Sequence, residues 1–213
     1  MAVLTIRGQL GSGAPEIGRA VAEKLNIHYV DREIIAAVAA RLHRTKQIII
    51  DKEMPPENLS GRIEEALERS GTYESAAYLP TWEMPLDDKS YLAGLESIIK
   101  ELARSQSIVI RGRGSQFILK EQPGVMHILI VAPLSIRLKR VMDNLKLDEE
   151  NAREEIALFD NSRHEFTKRY FNAELEDPLN YHLVINTENI TFEKATSIII
   201  HALHSTESAK LKA

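Results

Sequence analysis

Gly8, Gly11, Ser12 and Gly13 follow a short apolar run at residues 3–6 and precede Ile17, Val21 and Leu25, which share one face of a helix. A strand that ends in a glycine-rich turn and opens a helix gathers backbone N–H groups and the positive helix end around one point. Phosphate is held in that way. The complete phosphate-loop pattern continues, after its last glycine, with a lysine that bridges phosphate charge and a serine or threonine that holds magnesium. Ala14 and Pro15 stand at those two places. Pro15 suits the first helical turn and Glu16 favours the positive helix end, so the same residues also describe a plain structural turn. Both readings stand at this point. If phosphate binds, its charge must be met by Arg7 at the strand end or by Arg19, one turn into the helix and aimed back toward its start. Either arginine could equally serve a surface ion pair.

These residues need a scaffold, and the chain supplies one. Further buried-type apolar runs fall at residues 27–30, 108–110, 127–131 and 184–186. Helical spacing marks residues 15–25, 32–42, 91–104, 115–120, 135–144 and 192–201. Strands and helices therefore alternate, which predicts an α/β fold with a five-stranded parallel sheet flanked by helices. Residues 45–89 and 146–178 break the alternation and read as excursions over the site. The first mixes breakers such as Pro55, Pro56, Gly71 and Pro80 with one amphipathic stretch at residues 59–67, and reads as a helical insertion. The second is rich in charge. We expect a single domain over residues 1–205 and a fraying tail at 206–213.

Composition narrows the chemistry. The chain has no cysteine, which excludes disulfides, thiol catalysis and cysteine-held metal, so any metal is a hard ion on oxygen. A net charge of −4 argues against broad attachment to nucleic acid, while local arginines remain able to hold an anion. No apolar run is long enough to cross a bilayer. The start of the chain lacks the charged leader and cleavage site of a signal peptide, so a cytoplasmic location is expected.

Gly11-Ser12-Gly13-Ala14-Pro15-Glu16-Ile17-Gly18, then Ala22-Glu23-Lys24-Leu25, then Tyr29-Val30-Asp31-Arg32-Glu33-Ile34-Ile35 resemble the cytidylate kinase-like family of bacteria and archaea. In that family the opening usually reads glycine-serine-glycine-glycine-arginine-glutamate-isoleucine, so the lysine is commonly missing, whereas Ala14 and Pro15 are departures of this chain. Ile108-Val109-Ile110-Arg111-Gly112-Arg113-Gly114 resembles the family's strand followed by glycine-arginine-glycine, Asp160 with Arg163 resembles its lid signature, and Tyr181 to Thr187 resembles its closing strand. The resemblance implies a P-loop nucleoside monophosphate kinase architecture, with a monophosphate-binding insertion at 45–89 and an arginine-bearing lid at 146–178. It implies ATP and Mg2+ as cofactors, a nucleotide and a small-molecule acceptor as partners, and transfer of a phosphoryl group to a nucleoside monophosphate such as CMP. The competing reading is a catalytically silent nucleotide- or anion-binding module, because Ala14 and Pro15 replace the lysine and the hydroxyl.

Within that frame Gly8, Gly11, Ser12, Gly13, Arg7 and Arg19 are the phosphate-binding candidates. Asp31, Arg32 and Arg113 are the acceptor-binding candidates, at the carboxyl edge where open parallel sheets bind ligands. Asp31 has an alternative as the N-cap of the next helix, and Arg113 as an exposed turn arginine. Arg163 and Arg169 are the candidate catalytic cations of the lid, since transferred phosphoryl charge spreads over several oxygens, and Asp160 would hold them in place. Lys168 belongs to the same charged group, and Arg153 reads as one of a solvated helix's ion pairs. Phe159 stands where cytidylate kinases proper carry an arginine.

Overall fold

The computed structural model describes residues 1–54 and 86–210. Strand β1 (Val3–Gly8) is buried along its whole length. Its largely apolar start, Val3, Leu4 and Ile6 around Thr5, suits a strand covered on both faces. It lies at the centre of a five-stranded sheet in the order β2-β3-β1-β4-β5. Here β2 is His28–Val30, β3 is Ile108–Arg111, β4 is Val125–Val131 and β5 is Leu183–Asn186. Every pairing is parallel, and Ile6 lies between Arg111 of β3 and Ile128 of β4. The chain builds outward on one side of β1 first and on the other side later, so the crevice at the carboxyl end of β1 is the place where such sheets bind ligands.

The helices are α1 (Ala14–Leu25), α2 (Glu33–Arg41), α3 (Lys46–Lys52), α4 (Asp88–Ser105), α5 (Ser115–Ile118), α6 (Leu134–Leu145), α7 (Glu149–Phe171) and α8 (Phe192–Lys210). Side chains of β1 alternate between two cores. Leu4 and Ile6 pack with Ile17 and Val21 of α1 and Ile199 of α8, while Val3 faces Ile34 and Val38 of α2 and Leu95 and Ile99 of α4. Leu4 is 0% exposed and Ile6 1%, and burying a side chain of that size stabilises the fold by about 1.5–3 kcal/mol. The glycine loop is therefore anchored at one end by a strand that cannot move.

Two segments differ from expectation. Residues 146–178 form mainly one continuous helix, α7, of 23 residues, capped by Asp148, whose side chain accepts from Asn151 N–H. Ala152 and Ile156 of α7 pack on Leu138 and Val141 of α6 with Leu10 beside them, and Phe166 joins the core that holds α2 and α4. Its apolar stripe is thin in sequence because the middle of α7 faces charged groups. At the other end of the chain, α8 runs through residues expected to fray and reaches Lys210. The amphipathic stretch at 59–67 lies outside the described residues, as does most of the expected insertion; its flanks form α3 and the start of α4.

Candidate active site

The glycine loop is shaped by three left-handed or crowded glycines. Gly11 has φ 81° and Gly13 φ 92°, a region that L-residues with a Cβ occupy at a cost. A Cβ on Gly13 would stand 2.2 Å from the Phe192 ring, and one on Gly8 would meet the Ala14 Cβ at 2.4 Å. The N–H groups of Gly11, Gly13, Ala14 and Glu16 find no protein acceptor among the described residues. The loop thus presents several unpaired N–H donors and the start of α1 toward one point, a donor set that fits the phosphates of a nucleotide.

Arg140 of α6 sets the orientation of that donor set. Its Nη1 donates to Gly11 O at 3.2 Å and to Thr187 Oγ1 at 2.9 Å, and its Nη2 to Thr187 O at 2.8 Å. Thr187 Oγ1 in turn donates to Ser12 O at 2.8 Å. A trans peptide points its N–H opposite to its C=O. Holding the Ser12 carbonyl outward therefore turns the Gly13 N–H inward. The Arg140 guanidinium also lies 4.9 Å from the Phe192 ring centroid. A hollow of about 230 Å³, lined by Leu10, Gly13, Pro15, Arg140 and Phe192, opens beside the loop.

On the other face of β1 lies a smaller, charged cavity of about 50 Å³ at the carboxyl ends of β1 and β3. Arg7, Arg111, Arg113 and Arg163 line it together with Asp31, Gly8 and Phe159. Gly112, Arg113 and Gly114 all have positive φ, so the glycine-arginine-glycine turn folds the Arg113 side chain back over the sheet edge. Arg113 donates to Asp31 Oδ1 and to Glu53 Oε1, each at 3.0 Å, and Arg111 donates to Asp31 Oδ2 at 2.5 Å. Arg163 lies 3.5 Å from Glu53. Burial alone would raise the pKa of Asp31, but the charges and hydrogen bonds of Arg111 and Arg113 outweigh it and hold it below the usual carboxylate value. Burial likewise favours a neutral Arg113, and Glu53 and Asp31 outweigh it, so its pKa is raised. Arg163 goes the other way: burial, with the nearby Arg113 and Arg111 charges, outweighs the pull of Glu53.

The expected site residues separate clearly in space. Gly8, Gly11, Ser12 and Gly13 form the loop, and Asp31, Arg113 and Arg163 meet in the cavity. Asp31 is no helix cap: Arg32 occupies that position, and the Asp31 carboxylate is taken by two arginines. Arg7 also lies in the cavity, on the face of β1 away from the loop's hollow. Arg19 is exposed, its guanidinium 5.3 Å from the Tyr29 ring centroid, and does not line either cavity. Arg32 is exposed at the start of α2 and likewise lies outside both. Arg169 binds Asp88 through Nε at 2.7 Å and Nη2 at 2.6 Å, which ties α7 to the start of α4, and it does not line the cavity. Asp160 does not hold Arg163. It accepts from Leu10 N–H at 3.3 Å and from Arg137 Nη1 at 2.6 Å, so it joins α7 and α6 to the glycine loop. Arg153 pairs with Glu149 one turn earlier on the solvent side of α7.

Sequence reasoning did not single out Arg111, Glu53, Arg137 or Arg140. The last two had a signal: cations three apart on the helix after a buried strand, at the edge where ligands bind. Glu53 had none, because it lies in an excursion without recognisable pattern.

A parallel sheet with β1 at its centre, a glycine loop opening α1 and arginines gathered at the same edge define a P-loop kinase-like fold. The chain belongs to the cytidylate kinase-like family, whose profile matches residues 3–189. The cytidylate kinase of Staphylothermus marinus is 25% identical over 199 residues, spanning 93% of this chain and 94% of that protein. A uronate isomerase of Corynebacterium glutamicum is 35% identical over 98 residues, but the match spans 46% of this chain and only 19% of that protein's length. Among solved structures, an uncharacterized protein from Eubacterium ventriosum superposes with a TM-score of 0.69 at 20% identity, covering 96% of this chain and 99% of that one. A gluconokinase from Sinorhizobium meliloti gives 0.52 at 15% identity, covering 100% and 97%. At these identities the likeness shows the fold. Among the described residues no helix is long and apolar enough to cross a membrane.

Proposed function

We propose that the protein is a cytidylate kinase-like phosphotransferase that moves the terminal phosphoryl group of ATP to a nucleoside monophosphate, CMP among them, or to a similar small acceptor. The observation that carries this reading is that Gly8 both opens the glycine loop and lines the arginine cavity. A donor phosphate on the loop's N–H groups and an acceptor among the arginines therefore meet across one residue. An acceptor oxygen attacks the terminal phosphorus, the bond to the bridging oxygen breaks, and that oxygen leaves with ADP. Catalysis of this kind is positioning and charge neutralisation. The loop N–H groups hold the donor, Arg163 on α7 meets charge as it spreads over the transferred oxygens, and Asp31 with Arg113 forms the wall against which the acceptor is placed. Magnesium would accompany ATP, but the described residues offer it little. Pro15 has no hydroxyl, and among the described residues no group of three or more His, Asp or Glu could hold a metal ion.

The absence of a loop lysine removes a charge-assisted contact worth about 1.5–3 kcal/mol, or roughly ten- to a hundredfold in binding. A specific observation supports the second reading, a silent nucleotide- or anion-binding module: the Asp160 carboxylate already takes one loop N–H, that of Leu10. Thermal unfolding with magnesium-ATP, magnesium-ADP and a panel of nucleoside monophosphates, followed by an ADP-release assay on the best pair, separates the two. Native-state ligands raise the midpoint, so a shift with ATP and one monophosphate plus ADP formation supports the transferase. A saturable shift without ADP supports the binding module, and no shift at millimolar ligand overturns both.

A further inference from the structure

We propose that His127 and His182 form a proton switch that holds the edge strand β5, and through Thr187 the glycine loop, in place only while both imidazoles are neutral. The inference concerns the path of the backbone and requires neither nucleotide nor turnover.

The two rings stack, with centroids 4.9 Å apart and planes 17° from parallel. His127 on β4 is 3% exposed, and its Nδ1 lies 2.8 Å from Thr5 Oγ1 on β1. His182 is exposed and directly precedes β5. Its backbone N–H donates to His127 O at 2.8 Å, and its Nδ1 accepts from the His127 backbone N–H at 2.9 Å. A backbone N–H can only donate, so His182 Nδ1 must present a lone pair and the ring's single proton must sit on Nε2. A second proton would fill that lone pair, turn the acceptor into a donor and leave two N–H groups facing each other. The contact that joins the start of β5 to β4 is therefore complete only with a neutral ring.

The surroundings do little to offset a positive charge. Arg7 follows Thr5 on the same face of β1, Val125 and Leu129 flank His127 on that face of β4, and beyond Leu119 stand the exposed Lys120 and Glu121. Of the charged groups on these elements, only His182 acts on His127, and the Leu119 carbonyl compensates in part. Burial, and then the His182 charge, lower the His127 pKa to about 4. The unfolded chain, with an ordinary histidine value of about 6.5, takes the proton first. Stability is thus complete above about pH 6.5 and is lost as pH falls from there toward about 4.

The switch stands at one end of β5 and the anchor of the glycine loop at the other. β5 has four residues and pairs with β4 alone. Thr187, directly after it, donates its N–H to Val131 O at 2.9 Å and its hydroxyl to Ser12 O at 2.8 Å, and Arg140 holds the same threonine. A strand so short has few other rungs to keep it seated once the first opens, and the Ser12 carbonyl loses its hold with it.

The test is hydrogen–deuterium exchange on the whole chain at about pH 7.5 and about pH 5.5, corrected for the intrinsic pH dependence of amide exchange. The β5 amides and the Ser12 amide should exchange about tenfold faster at the lower pH, and the unfolding midpoint should fall by about 3–6 °C. His182→Asn keeps an acceptor in place of Nδ1 but takes no proton, so it should stay protected at both pH values. His182→Ala removes the acceptor and should exchange fast at both. Because His182 is exposed, neither change disturbs the core. His127→Asn should abolish the acid-dependent fall in midpoint. The proposal is overturned if the wild type shows no acid response, if the Asn and Ala variants at His182 behave alike, if β5 responds while Ser12 does not, or if His127→Asn keeps the full fall. Failure of ATP to bind at any pH would sink the reading of the loop as a phosphate site and leave this exchange pattern intact.

Discussion

The two faces of β1 meet phosphate chemistry by opposite means. On one, the glycine loop offers backbone: unpaired N–H groups, two left-handed glycines, and no side-chain cation where a lysine usually stands. On the other, the cavity offers side chains, four arginines of which Asp31 and Glu53 pair with three, enclosed by α7. A backbone site depends on the chain's path and is damaged by anything that moves it. A side-chain site depends on charge balance and is damaged by removing a charge. The two halves should therefore fail differently under mutation.

The largest effect belongs to the backbone half. Gly13→Ala forces a Cβ into a φ of 92° and to within 2.2 Å of the Phe192 ring. Left-handed strain costs about 1–2 kcal/mol and overpacking about 1–3 kcal/mol, so a loss of about 2–5 kcal/mol and a midpoint lower by roughly 5–15 °C are expected. Chemical denaturation measures it. Phe192→Leu in the same chain should recover the steric part and leave the backbone part. If Gly13→Ala matches the wild type in stability, the loop does not follow the path described.

Next comes the side-chain half. Arg163→Ala removes a cavity cation without touching the backbone, and it also relieves repulsion with Arg7. The expected outcome is a fall of about a hundredfold in kcat/KM, with the unfolding midpoint nearly unchanged. Steady-state kinetics and a melting curve on the same preparation check both. Unchanged turnover would remove α7 from the chemistry, and a large drop in midpoint would make Arg163 a structural strut.

The contrast also explains what could be read in the sequence. The sheet was legible because its strands are buried on both faces and so read as largely apolar runs, Val3 to Ile6 interrupted only by Thr5, and Ile128 to Val131 after His127. The loop was legible because glycine is the residue that such a path requires. The cavity was legible only in part. Arg113 stood out between two glycines, whereas Glu53, which pairs with it from beyond α3, sits in a segment with no pattern at all. Arg7 was read as a donor-phosphate ligand, yet strand alternation turns it to the opposite face from Ile6, toward the cavity. Asp160 was read as a partner of the lid arginines, and a helix of 23 residues instead carries it to the glycine loop, some distance along α7 from where Phe166 enters the core. Long-range pairings of this kind depend on how helices cross, which residue spacing along one helix does not encode.

The smallest effect should come from Arg169, which the charge pattern of α7 placed with Arg163 and the structure separates from it. Its guanidinium is bidentate to Asp88, and that carboxylate also receives Lys52 at 2.7 Å. With side chains 32% and 43% exposed, the Arg169–Asp88 pair is worth only about 0–1 kcal/mol. Arg169→Ala should therefore change kcat/KM by less than about threefold and lower stability by no more than about 1 kcal/mol, read from the same two measurements as for Arg163→Ala. Two arginines six positions apart on one helix would then differ in turnover by more than tenfold. That difference would confine the chemistry to the face of α7 that covers the cavity. Equal losses in the two variants would instead mean that α7 swings as a unit when ligand binds, bringing Arg169 off Asp88 and over the site.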